Sequence, residues 1–264
     1  MNIFIREMRA NRKALILWSL CMILFVLSGM SKYSAYSSGG SGSDILSKIP
    51  KTLRVLFGMG SFDVTKISGF FAFLFSYIVL TVAIHAALLG SGIIAKEERD
   101  KTAEFLIVKP ISRYRIITSK ILAALVNIVV LNLVTLLSSI GMAAVFSKQE
   151  NITGEIFAFY LSLFLLQLIF MSLGLLLASC MKKPKASGSL AIGILLITYA
   201  ISKITDLTDR LNALNMLSPF KYFSYERIVN GNGVSLLMIL LSLLITGIFS
   251  AVTYFLYQRR DLTM

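Results

Sequence analysis

Six stretches of this sequence contain no Asp, Glu, Lys or Arg: 14–31, 67–95, 121–147, 156–181, 186–202 and 228–258. A helix needs about 20 consecutive apolar residues to cross a hydrocarbon core of ~30 Å, and four of the runs exceed that length. The first and fifth are short, but each is bordered by Lys or Arg whose stems can snorkel to the interface. In lipid every backbone N–H and C=O must be satisfied within the protein, so runs of this kind are helical. The composition agrees: 56% of residues are hydrophobic, 15% are charged and the mean hydropathy is +0.80, which excludes an ordinary soluble domain. The expected fold is an all-α membrane protein, one transmembrane domain over 1–264. Its spans are expected near 14–31, 67–95, 117–146, 156–181, 186–203 and 234–257.

The charges lie between the runs and orient them. Of 26 Lys and Arg, 16 fall at the N-terminus, in 96–120, in 182–185 and at the C-terminus, against 10 on the opposite side. The positive-inside bias then puts both termini and the 96–120 segment in the cytoplasm. The basic N-terminus followed by an apolar run also admits a cleaved leader. It is read as a first span because the run is longer than a usual leader core and five more follow. Phe4, Ile5 and Met8 alternate with Arg6, Arg9, Arg12 and Lys13, so 1–13 is expected as an amphipathic helix lying on the inner leaflet and turning inward at Ala14. Basic surfaces in a membrane chain point to anionic lipid, and no soluble basic domain is present to bind nucleic acid.

Between the first two runs, the Gly/Ser-rich stretch 37–43 has the composition of a linker, and 50–57 turns apolar and basic, as in a short interfacial helix. The segment after the second run is more informative. It is charged and helix-prone from Lys96, with Glu97 and Lys101 four apart and Ala103, Phe105, Leu106 and Val108 giving an apolar side. Pro110 then ends the helix at Lys109. A surface helix with an apolar side wants a protein groove to cover it.

Residues 90–120, GSGIIAKEERDKTAEFLIVKPISRYRIITSK, resemble the signature of ABC-2 type transporter permeases. In those chains a second span ends in Glu-Glu, followed by Gly-Thr-Leu-Glu-Leu-Leu, Pro-Val/Ile-Ser-Arg and a Lys opening the third span. Lys101 stands where the family usually has Gly. LRVLFG at 53–58 and LSPFKYF at 217–223 are similar to the same family more weakly. The resemblance implies a cytoplasmic coupling segment, 96–115, seated on a separate ATPase subunit and formed or oriented by Glu97, Glu98, Thr102, Glu104, Phe105, Leu106, Pro110 and Arg113. It implies two ATPase subunits per complex and a second permease, identical or a sister chain. ATP and Mg2+ would sit on the ATPase and no cofactor in this chain. The implied role is the permease subunit of an ATP-driven exporter in a bacterial plasma membrane.

The residues themselves offer little chemistry. GxxxxGK[ST] and GxSxG do not occur, and no pair of acids lies inside a span, so the chain is expected not to be an enzyme. One histidine leaves no histidine-rich metal site or ordinary serine–histidine triad, and Cys21 and Cys180 read as free thiols packed like small hydrophobes. His85, mid-span, is read first as a histidine hydrogen-bonded between helices and second as a path-lining or titrating group. Asn127, Asn132, Thr135, Ser139 and Gln167 are read as interhelical hydrogen-bonding groups before path contacts, and Gly90, Gly92, Gly174 and Gly193 as close-packing positions. Pro219, Phe220, Tyr222, Phe223 and Tyr225 suit the outer interface, with Phe220 and Phe223 as candidates for an outer gate. Few charges and many Phe, Leu and Met suit hydrophobic or amphipathic peptide cargo, toxins or antimicrobial peptides. Small drugs, lipids or ions, a secondary transporter, and a membrane anchor that only recruits an ATPase remain the alternatives.

Overall fold

The computed structural model describes residues 3–37, 49–56, 58–59, 63–99, 112–146, 152–181, 184–223 and 225–259. Among these residues there is no strand, and six helices are long and apolar enough to span a membrane. They are α1 (Ile3–Ser31), α2 (Ile67–Arg99), α3 (Arg113–Phe146), α4 (Thr153–Cys180), α5 (Ser187–Leu207) and α6 (Leu236–Arg259). Short helices at Lys51–Leu56 and Tyr225–Val229 and 3-10 turns over Asp209–Leu217 and Pro219–Lys221 fill the connections. The Gly/Ser-rich residues 38–48 lie outside the described part.

α2 and α4 form the centre of the bundle and pack most extensively on each other, while α1 lies chiefly along α3, α6 along α4 and α5 along α2. The reason is visible at Gly90 and Gly174. A Cβ on Gly90 would stand 2.1 Å from the carbonyl oxygen of Met171, and one on Gly174 would stand 2.4 Å from that of Ala87. Only bare backbone permits this crossing, as is usual where membrane helices approach closely. Gly92 and Gly193, expected to do the same, have nothing within 4 Å of a Cβ and are not packing contacts.

The turn expected at Ala14 does not occur. α1 runs unbroken from Ile3 to Ser31, because Arg9–Ala14 contains good helix formers and neither Gly nor Pro. Cys21 and Cys180 are free, as expected, but exposed rather than packed. Large exposed side chains, among them Leu17, Leu20 and Leu24 of α1 and Leu237, Leu240 and Leu244 of α6, line the outer helices. Contiguous apolar surface on this scale belongs against lipid or protein.

Candidate functional site

The up-and-down order of the helices gathers the start of α1, the end of α2, the start of α3 and the ends of α4 and α6 at one base of the bundle. A core specific to this base joins Ile3, Ile93, Ile94, Ile116, Ile117, Ala124, Leu175 and Tyr257. Of the expected coupling residues, Thr102, Glu104, Phe105, Leu106 and Pro110 lie outside the described residues. Glu97 and Glu98 fall in the last turn of α2. Arg113 opens α3, and its guanidinium donates to the carbonyl of Gln258 at 2.9 Å. A cation on the last carbonyls of α6 suits the negative end of that helix. The same junction packs Tyr114 against Tyr254 in a tilted pair, with centroids 5.2 Å apart, and joins the hydroxyls of Thr118 and Tyr254 at 2.9 Å. The helix ends flanking 100–111 are therefore tied to one another and to the end of the chain's last long helix.

In this base Glu7, which was not singled out from the sequence, meets Lys120, the Lys that closes the 90–120 motif. Glu7 and Lys120 have side chains 1% and 0% exposed, with Nζ 3.9 Å from Oε1. Lys120 also donates to the carbonyl of Ile93 on α2, and Arg6 reaches Glu7 at 3.1 Å. The available signal was the isolation of Glu7, the sole acid before Asp44 and surrounded by four cations.

The polar residues at membrane depth separate into distinct contacts. Asn132 on α3 donates its amide to Oε1 of Gln167 on α4 at 2.8 Å. Two turns further along α3, Ser139 shares a 2.7 Å hydrogen bond with Tyr160 of α4, whose hydroxyl donates to the Thr135 carbonyl at 2.9 Å. Asn127 donates to its own helix at Ala123 and approaches Sδ of Met8 on α1 at 3.4 Å. At His85 the buried Nδ1 has no hydrogen-bond partner among the described residues, and the ring packs 5.0 Å from Trp18 of α1. The structure brings Asn132 and Gln167 together but leaves Asn127 and His85 in separate contacts with α1. All four are buried between helices.

At the opposite end, the aromatic cluster is folded into the bundle rather than spread along an interface. Phe220 lies 5.3 Å from both Phe170 of α4, against which it is tilted, and Tyr199 of α5, which it meets edge-on, and Phe220, Tyr222 and Phe223 are buried. Ser218 donates to the Thr198 carbonyl at 2.8 Å, and Tyr222 to that of Met216 at 2.8 Å. Asp206 pairs with Lys221 and, at 3.8 Å, with Lys203. Burial drives this placement: aromatic rings gain more by filling the space between α4 and α5 than by lying in the interface.

A family model described as ABC-2 family transporter protein matches residues 1–262, a span that contains all six long helices. No curated protein matches the chain.

Proposed function

The chain belongs to the ABC-2 family of transporter proteins and is a multi-pass membrane permease of an ABC transporter; from this premise we propose that it serves an exporter and engages its ATPase through 96–115. Family membership implies an ABC ATPase partner. In the proposed complex, two ATPase subunits dock beneath two permeases, identical or paired with a sister chain, in a bacterial plasma membrane. ATP and Mg2+ are held by the ATPases, and this chain performs no covalent chemistry. Both termini and the 96–115 segment face the cytoplasm. The cargo proposed is a hydrophobic or amphipathic peptide, in keeping with the apolar spans and their few buried charges.

The observation that carries the coupling role is the joining of helix ends at the base. With the α2 end and the α3 start held against α1 and α6, a load applied to the intervening segment moves several spans together. Closure of the ATPase dimer on ATP would drive that load, and the paired bundles would then expose the path to the other side. Phe105 and Leu106 are the apolar anchors, and the neighbouring charges fix register.

Co-purification of the tagged chain from its native membrane tests this, followed by ATP hydrolysis in nanodiscs. Wild type is expected to bring down a stoichiometric ATPase, and Phe105→Asp or Leu106→Asp to reduce its recovery at least about tenfold, a factor equivalent to ~1.4 kcal/mol of binding. Full recovery of ATPase with both variants would place docking elsewhere.

A further inference from the structure

We propose that Glu7 and Lys120 are positioning residues that transmit ATPase-driven movement at the α2–α3 junction into α1. Resting on the docking role just proposed, this assigns the transmission step to a buried ion pair.

Three elements meet at a single ammonium group. Lys120 stands near the start of α3, its Nζ donates to the Ile93 carbonyl two turns before the end of α2, and it faces the carboxylate of Glu7 near the start of α1. Both side chains are essentially withdrawn from solvent among Ile3, Ile93, Ile117 and Ala124. An ion pair in such a place is a poor source of stability, because apolar residues of similar size commonly do as well or better. Its advantage over an apolar contact is direction. Apolar surfaces slide over one another, whereas an ammonium that holds a backbone carbonyl of one helix and faces the carboxylate of another ties the displacement of each to the other.

The pair is also incompletely closed. Its 3.9 Å separation exceeds the 2.7–2.9 Å of a charge-assisted hydrogen bond, and Oε2 of Glu7 is buried with no hydrogen-bond partner among the described residues. A buried carboxylate with one unsatisfied oxygen has a strong preference for any arrangement that brings a donor to it. A small advance of α3 toward α1 would do so. Because Oε1 is already held by Arg6 at 3.1 Å, Oε2 is the atom such an advance would engage, and that engaged arrangement is the second position the proposal assigns to α1.

The test uses the permease with its ATPase in nanodiscs, with spin labels on the native Cys21 of α1 and Cys180 of α4, both exposed. ATP with vanadate is expected to shift the label-to-label distance distribution in wild type. In E7Q/K120M the ATPase should still co-purify, but at least half of that shift should be lost. K120R, which keeps a cation able to donate to the Ile93 carbonyl and to face Glu7, should retain most of it. A lower melting temperature in either variant would not produce this pattern. A full shift in E7Q/K120M, or a wild-type complex in which ATP moves nothing between the labels, overturns the inference while leaving the docking role intact. Failure of wild type to bring down any ATPase removes the docking role and this inference with it.

Discussion

At the scale of single residues, the absence of a Cβ is as consequential as any side chain. Gly90 and Gly174 each sit against the backbone of the opposing helix, so a methyl group cannot be accommodated by a rotamer change and the α2–α4 crossing must widen. Gly90→Ala and Gly174→Ala should each destabilise the chain by about 1–3 kcal/mol, the usual cost of overpacking. Gly92→Ala and Gly193→Ala, which add a methyl into open space, should leave thermal unfolding in detergent nearly unchanged. Equal effects at all four positions would refute the assignment. The sequence could not separate these glycines, because each stands in an apolar run and the difference between them is which neighbour lies opposite. The same limit hid the partner of Glu7. Its isolation among cations was legible, but Lys120 is distant in sequence and reaches it only through the packing of α1 on α3. His85 shows a further limit: its polarity at depth was legible, but the ring contact with Trp18 depends on how α1 lies across α2.

Whole elements were more legible than their contacts. Six charge-free runs announce six apolar helices because charge is costly in hydrocarbon and unremarkable outside it. Asn132, Thr135 and Ser139 share a face of α3 by helical spacing alone, and α4 supplies Gln167 and Tyr160 against it. This ladder joins two helices through neutral hydrogen bonds, which in membrane bundles contribute about 0.6 kcal/mol each on average. A double-mutant cycle of Asn132→Ala and Gln167→Ala should therefore give a coupling below about 2 kcal/mol. A larger value would mean the amides do more than join helices. In the connection from α5 to α6 the burial of the rings was not legible, because aromatic residues beside a span suit either an interface or a core, and composition does not choose. With Phe220 inserted between Phe170 and Tyr199, Phe220→Ala leaves a cavity and should cost about 3–5 kcal/mol of stability. If thermal unfolding is unaffected while transport changes, Phe220 is a gate and not a packing residue.

For the whole molecule the governing question is which end of the bundle faces the cytoplasm, since an ATPase can act only on that side. The proposed coupling segment joins helix ends at the base, and the excess of Lys and Arg at this end predicts a cytoplasmic base. The molecule carries its own reporter: Cys180 is exposed at the C-terminal end of α4, whereas Cys21 is exposed on α1 at membrane depth. A second reporter can be placed at the far end through Asn232→Cys, because Asn232 is exposed in the turn before α6. Intact cells treated with a membrane-impermeant maleimide should label N232C in a background lacking both native cysteines. Cys180 should react only after permeabilisation, and Cys21 should stay slow in either case because a membrane-impermeant reagent does not reach the apolar middle of α1. The reverse pattern would put the base, and 96–115 with it, outside the cell. The joined helix ends would then have no ATP-driven partner to respond to, and both the docking role and the Glu7–Lys120 transmission step would fall together.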